Sequence, residues 1–260
     1  MDNRDAQRLF KQAEVGDLTA AAELEGLARF GNAEAQFLTA RLADLPERGN
    51  LSVDLQRARS WYESAAMQGH ALAQLSIGNM YDYGDGGEQN FEKARRWYES
   101  AAKQGVRDAQ LHYARMVHTG RGGSKSDAEA AHWYRKAVEL GDVHAATNLA
   151  LMHLNDEVED SSSSEAMRLF LMAASAMDGL AHLMLGRMSL DGRGVAPHDK
   201  QALLFFCIAA LLLPPGNNRQ IAVSAKEEVL KKYPRLRKQF ENDARQYVDQ
   251  RTGQIPFVSD

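Results

Sequence analysis

The sequence predicts an all-α repeat protein in which a pair of helices recurs about every 36 residues. Two nearly identical segments, WYESAAMQG at 61–69 and WYESAAKQG at 97–105, begin 36 residues apart. WYRKAVELG at 133–141 is a third copy, and weaker copies begin at Leu169 and Phe205, each another 36 residues on. Self-similarity at a fixed period of roughly 20 to 50 residues is typical of stacked helical arrays.

Composition excludes several classes of protein. With one cysteine, Cys207, the chain can form no internal disulfide. Its net charge of −4 gives no general electrostatic reason to bind nucleic acid or an anionic membrane. The longest dense apolar stretch, Ala202–Leu213, suits a buried helix, because a membrane span needs about 20 residues. The N-terminus has no basic start followed by an apolar run, so we expect a cytoplasmic protein, unless a leader has been removed.

Helical caps are expected at both ends of the array. Residues 1–32 predict two short helices that cover the first repeat, Asp5–Val15 and Leu18–Phe30. The repeats are expected at 33–70, 71–106, 107–142, 143–178 and 179–213.

A Pro-Pro-Gly stop at 214–216 then separates the array from a C-terminal cap and tail, 214–260. The cap should hold two helices, Arg219–Tyr233 and Leu236–Gln250, and the last ten residues are expected to be mobile. The loop LPERGNLSVD of the first repeat carries two extra residues.

The second helix of each repeat, helix B, carries an apolar stripe. In the second repeat its members are spaced i, i+3, i+4 and i+7, the pattern of an amphipathic helix; they are Ala94, Trp97, Tyr98 and Ala101. Because these positions recur, we expect the aromatic rings to build the stack of helices and not to contact a partner. The intervening polar residues should face water; they are Arg95, Arg96, Glu99 and Lys103.

The first helix, helix A, separates constant from variable positions. Alanine recurs at 73, 109, 145 and 181, and methionine at 80, 116, 152 and 188, which indicates a packed face. Positions 72, 76, 79 and 83 and their equivalents differ between repeats and share one helical stripe. We predict that this variable stripe binds a partner on the concave face of the array. The candidate residues are Ser76, Asn79, Tyr83, Asp108, His112, Arg115, Thr119, His144, Asn148, Leu151, Met184 and Arg187.

The second repeat, AQLSIGNMYDYGDGGEQNFEKARRWYESAAKQG, resembles the Sel-1-like repeat, a relative of the tetratricopeptide repeat. The fifth repeat keeps the loop signature as DGRGVAPHDKQA. The resemblance covers roughly 33–213 and implies an α/α right-handed superhelical solenoid that binds other macromolecules. Family members serve as adaptors, assembly factors and signalling scaffolds, and bacterial members act at the cell envelope or against toxins.

Several functions are compatible with these features. We expect a non-catalytic scaffold or adaptor that binds one or more proteins or peptides, in one version a bacterial immunity or accessory protein that sequesters a toxin or effector. An envelope or polysaccharide assembly factor is the alternative, and a small-molecule-binding enzyme is a third. No cofactor or metal is expected, because no His-x3-His or CxxC pair occurs and the glycine loops at 84–87 and 120–125 follow helices and lack P-loop spacing. We also expect no nucleic-acid partner and no membrane insertion.

Overall fold

A computed structural model describes residues 3–44 and 54–250 of the chain. This part is all-helical, without a strand, which confirms the predicted all-α repeat class. The α-helices are α1 Asn3–Glu14, α2 Leu18–Arg29, α3 Ala33–Asp44, α4 Leu55–Met67, α5 Ala71–Tyr83, α6 Phe91–Lys103, α7 Arg107–Thr119, α8 Asp127–Glu139, α9 Val143–Leu154, α10 Ser163–Ser175, α11 Gly179–Asp191, α12 Asp199–Leu212, α13 Asn217–Lys232 and α14 Arg237–Gln250. The two extra loop residues predicted near 45–53 and the mobility predicted for 251–260 fall outside the described residues.

The chain forms two compact units, Met1–Trp133 and Tyr134–Asp260, and α8 contributes residues to both. Within the first unit, helices that follow each other along the chain pack together, from α1 to α7. Within the second, α9 packs on α10, α10 on α11 and α11 on α12, and both α13 and α14 pack on α12. Most of the apolar stretch predicted to form a buried helix lies in α12, where residues 202–209 are buried, whereas Leu211 is 42% exposed.

Helices A and B of a repeat approach closely because a small residue faces an aromatic ring. Gly78 of α5 lies against Tyr98 of α6, where an added Cβ would come within 2.8 Å of the ring. Gly186 of α11 lies against Phe206 of α12 in the same way, at 2.5 Å. Both rings are fully buried. The recurrent aromatic residues therefore build the stack, as predicted.

A ladder of buried glutamines satisfies backbone groups inside the first unit. The Nε2 atoms of Gln36 and Gln74 donate to the carbonyls of Ala28 and Ala66, at 3.0 and 3.2 Å. Gln104 in turn donates to Gln74 Oε1, at 2.7 Å. Gln36, which accepts from Gln68, and Gln74 each use both donor and acceptor, which removes much of the cost of burying them.

In the second unit His182 occupies the column of these glutamines and is fully buried. Its Nδ1 bonds the carbonyl of Asp178 at 2.8 Å, whereas Nε2 has no hydrogen-bond partner in the described chain. The imidazole contacts the rings of Phe205 and Tyr247 in edge-to-face geometry. Burial lowers the pKa of His182 below its usual 6.5, so the ring is neutral in the folded protein.

Arg95 departs from the prediction that it faces water. Its side chain is half-buried and its guanidinium donates to the carbonyl of Ser124, at 2.9 Å. Arg59, one repeat earlier, donates in the same way to the carbonyls of Asp85 and Glu88. The glycines of the loops make room for this contact, because a Cβ at Gly123 would come within 2.8 Å of the Arg95 guanidinium. The face of helix B that was predicted to be solvated therefore also carries arginines that bind the loop of the next repeat.

The turn that ends helix A is preserved in the fourth repeat, although an aspartate replaces its glycine there. Gly84, Gly120 and Gly192 have φ of 83°, 72° and 71°, and Asp156 occupies the equivalent position with φ 57°. The next N–H bonds the carbonyl of the recurrent methionine in each case, including Glu157 to Met152 at 3.0 Å. A side chain in this left-handed region costs about 1 kcal/mol, and somewhat less for Asp.

We predict that Asp156→Gly stabilises the protein, since Asp156 is exposed and loses no packing. The free energy of unfolding in urea should rise by about 0.5–1 kcal/mol. The reverse change, Gly120→Asp, should lower it by a similar amount. A loss of stability in Asp156→Gly would show that the turn does not strain this residue.

We also predict that His182 makes stability depend on pH. Below pH 6.5 the His182 imidazole binds a proton in the unfolded chain but not in the folded chain. The contribution of neutral His182 to the free energy of unfolding is therefore complete above this pH and decreases as the pH falls. His182→Gln, which restores the residue of the earlier repeats, should flatten this slope, whose limit is about 1.4 kcal/mol per pH unit. His132→Gln, at an exposed site, is the control. Equal slopes in wild type and His182→Gln would exclude His182 as the cause.

Candidate functional site

The twelve candidate residues of the variable stripe are all accessible. Six are exposed: Tyr83, Asp108, Arg115, Thr119, His144 and Arg187. Six are half-exposed: Ser76, Asn79, His112, Asn148, Leu151 and Met184. By contrast, the recurrent alanines at 73, 109, 145 and 181 are 0% exposed, and the recurrent methionines are buried too. The stripe is therefore available to a partner, and its binding role stays a prediction.

The first unit brings part of the stripe together around one pocket, which we call the Arg115 pocket. Its volume is about 440 Å³ and its walls come from the C-terminal halves of α5 and α7 and from the loop after α7. The lining residues are Asp82, Arg115, Met116, Thr119 and Arg121. Arg115 and Thr119 belong to the predicted stripe, whereas Asp82 and Arg121 do not.

In this pocket the buried carboxylate of Asp82 pairs with Arg121, whose side chain is 41% exposed. The side chain of Asp82 is 1% exposed, and a guanidinium nitrogen of Arg121 lies 3.1 Å from its Oδ1. The guanidinium also stacks on the ring of Phe91, 3.8 Å from the ring centroid. A buried carboxylate requires such a partner, because desolvation alone would cost several kcal/mol. The contacts with Asp82 and Phe91 together fix the position of Arg121.

A second chain of contacts orders Arg115. Tyr98 donates its hydroxyl to Asn79 Oδ1 at 2.8 Å, and its ring stacks on His112, with centroids 5.0 Å apart. Burial, and then the charge of Asp82, raise the pKa of the Tyr98 phenol, so the hydroxyl keeps its proton. His112 Nδ1 lies 3.2 Å from a guanidinium nitrogen of Arg115, which donates to it. Three stripe residues thus depend on one core tyrosine.

The charges of the Arg115 pocket do not cancel. Two guanidiniums face one carboxylate, and Arg115 has no acidic partner among the described residues. The pocket therefore carries a net charge of about +1 and can accept an anionic group through the planar, multiple donors of arginine.

The second unit has a groove on the same helix-A stripe, which we call the α13 groove. Its volume is about 420 Å³, and α13 lies along one side of it. The lining residues are Arg187, Leu190, Asp191, Phe206, Gln220, Ile221, Ser224, Ala225 and Glu228. Arg187 is a predicted stripe residue. The contribution of α13 was not predicted, because that helix was assigned to a cap.

Other sequence signals have structural explanations. Cys207 is buried, and burial raises the pKa of its thiol to about 12, so the thiol keeps its proton and packs as part of the core. In the basic segment 231–238, Lys232 pairs with Asp199 at 3.1 Å and Arg237 with Glu227 at 2.6 Å. Throughout 3–44 and 54–250, no group of three potential metal ligands comes together. Over the same ranges, none of the helices has the length and apolar character that crossing a membrane requires.

Comparisons with known proteins identify the repeat. The Sel1 repeat pattern matches residues 33–70, 71–106, 107–142, 143–176 and 179–212. A search of curated proteins returns no match. Among solved structures, a Sel1 repeat protein from Oxalobacter formigenes is 28% identical, with a TM-score of 0.72, over 82% of this chain and 86% of that one.

A second, more distant structure shares the fold. The protective antigen c5321 of uropathogenic Escherichia coli, described as having an SLR fold, is 23% identical with a TM-score of 0.68. The match covers 80% of this chain and 48% of that one. Immunity protein Pa5087 from Pseudomonas aeruginosa is 21% identical over 82% and 83% of the two chains, with a TM-score of 0.41, which is too distant to inform function. On the repeat matches, which cover more than half of the sequence, this chain belongs to the Sel1 repeat family.

Proposed function

We propose that this protein is a non-catalytic scaffold that binds a partner protein or peptide through the variable stripe of its A helices. Sel1 repeat proteins are generally scaffolds for protein interaction. The observation that supports this surface is the contrast within helix A: the constant positions are buried, whereas every one of the twelve variable candidates is accessible. A scaffold that reuses one fold gains specificity at the positions that differ between repeats.

We further propose that the partner is a single protein that the array sequesters in the cytoplasm, as a bacterial immunity or accessory protein would hold a toxin or effector. The irregular chemistry of the stripe supports one dedicated partner, because successive repeats present different side chains. The second repeat offers Asn79 and Tyr83, and the third offers His112 and Arg115. Repeats that bound copies of one motif would be expected to present the same residues.

The product of an adjacent gene provides the first test of the partner. Co-expression with an adjacent toxin gene should yield a complex of fixed stoichiometry and protect the host cell. Genes for polymer export beside this one, together with binding to their products, would instead favour the alternative of an envelope or polysaccharide assembly factor.

Charge reversal of two stripe residues tests the surface. We predict that Arg115→Glu with Arg187→Glu weakens binding of that partner at least tenfold, about 1.4 kcal/mol, because both side chains are exposed. The melting temperature should fall by no more than about 4 °C, because both side chains are exposed and the main loss is the hydrogen bond of Arg115 to His112. Titration calorimetry and thermal unfolding measure the two quantities.

The matched control lies on helix B. Arg96→Glu with Lys103→Glu reverses the same number of charges at exposed positions of α6 outside the stripe. Its affinity for the partner should equal that of wild type. If the stripe variant binds as tightly as wild type, or if the control loses as much affinity, the proposed surface is wrong.

A further inference from the structure

The Arg115 pocket suggests what part of a partner the first unit recognises. We propose that this pocket binds one carboxylate, the side chain of an Asp or Glu residue of the partner protein. Arg115 would contact the carboxylate directly, and Arg121 would stand beside it as a fixed second guanidinium. This inference rests on the proposed function, because it names the chemistry that one part of the stripe would recognise.

Charge decides between a carboxylate and a phosphate group. The pocket holds Arg115, Arg121 and the carboxylate of Asp82, which leaves one positive charge uncompensated. One carboxylate neutralises that charge. A phosphorylated side chain carries about −1.5 to −2 near neutral pH, so it would leave excess negative charge beside buried Asp82. The site therefore matches a singly charged acid.

The donors of the pocket are in place before any ligand binds. Arg121 lies between the buried carboxylate of Asp82 and the ring of Phe91, yet its side chain remains 41% exposed. Arg115 is held by its hydrogen bond to His112, which stacks on Tyr98. A guanidinium that is already ordered loses less conformational entropy on binding, so more of each contact contributes to affinity.

The floor of the pocket suits the aliphatic part of an acidic side chain. Met116 is the apolar side chain among the lining residues, although only 2% of it is exposed. Thr119 uses its hydroxyl to donate to the carbonyl of Arg115 at 2.8 Å, which ties the wall to the helix backbone. A methylene stem can pack on the floor while its carboxylate reaches the arginines.

The second unit offers a control within the chain. Arg187 occupies the column of Arg115 two repeats later, but Asp191 and Glu228 also line its groove. These two carboxylates outnumber the single guanidinium, so the α13 groove has a net charge of about −1 and should not bind a carboxylate. Position in the repeat alone therefore does not make an acid-binding site.

Side-chain NMR of the full chain tests the pocket without the partner. The probes are N-acetyl-glutamate N-methylamide, its isostere N-acetyl-glutamine N-methylamide, and inorganic phosphate, each titrated to about 50 mM at constant ionic strength and pH 7. The Nε–Hε signals of Arg115 and Arg121 should shift saturably with the glutamate probe, with a dissociation constant on the order of millimolar. The glutamine probe and phosphate should bind at least tenfold more weakly.

Two variants localise the effect. Arg115→Gln should weaken the glutamate probe at least tenfold, read at Arg121, whereas Arg187→Gln should leave its affinity unchanged. The proposal is overturned by no saturable shift at 50 mM, by equal response to the glutamate and glutamine probes, or by undiminished binding in Arg115→Gln. Tighter binding of phosphate would overturn it in favour of a phosphorylated partner.

The two proposals can fail separately. If the glutamate probe does not bind but the double charge reversal still releases the partner, the stripe stands and the acid pocket is wrong. If the probe binds but the double variant keeps full affinity for the partner, the pocket is real and the partner does not use it.

Discussion

The close contact between a small residue on helix A and an aromatic ring on helix B is the constraint on which each repeat depends. Tyr98 shows the two consequences of this contact, which are close packing of the helices and ordering of side chains on the stripe. Its ring fills the space that Gly78 leaves, which draws α5 and α6 together. The same ring stacks on His112 and its hydroxyl binds Asn79, so the packed face of the repeat orders side chains on the accessible stripe. Stability and the geometry of the candidate site are therefore linked through a single buried residue.

Polar groups inside the array show how the repeats tolerate change. The glutamines of the first unit use their amides to satisfy backbone carbonyls, whereas His182 occupies their column in the second unit and cannot bond in the same way. There, the hydroxyl of Tyr247 lies 3.4 Å from the carbonyl of Ala174, so the last helix provides a polar contact at that carbonyl. The C-terminal helices thus take part in the interior of the second unit as well as covering it.

Most of the fold could be predicted because it depends on periodic contacts. The spacing of Ala73, Ile77 and Met80 marks a packed face, and all three are buried. All three lie within α5, Ala71–Tyr83. Arg95 was misassigned because its partner, the carbonyl of Ser124, lies 29 residues away and leaves no periodic signal.

The candidate site was predictable only in part. Its stripe follows from helical geometry, but the Arg115 pocket also uses Asp82 and Arg121, which lie outside the stripe. The positions equivalent to Asp82 in the other repeats hold His118, Leu154 and Leu190. Such variation is equally compatible with a buried carboxylate that has an arginine partner and with an unconstrained surface position. The pairing with Arg121 depends on the three-dimensional path of the loop after α7. In the second unit, Glu228 lines the groove because α13 packs beside it. This contribution was missed because the stop at Pro214 led us to assign α13 to a cap.

Hydroxyl-radical footprinting of the free chain and of its complex tests most directly whether the variable stripe is the binding surface. Tyr83, which is 61% exposed on α5, should become protected in the complex, together with His112. Met67, which is 69% exposed on α4 and lies outside the stripe, should react equally in both states. Protection of Met67 without protection of Tyr83 and His112 would contradict the account, because it would place the partner on the helix-B side of the repeats.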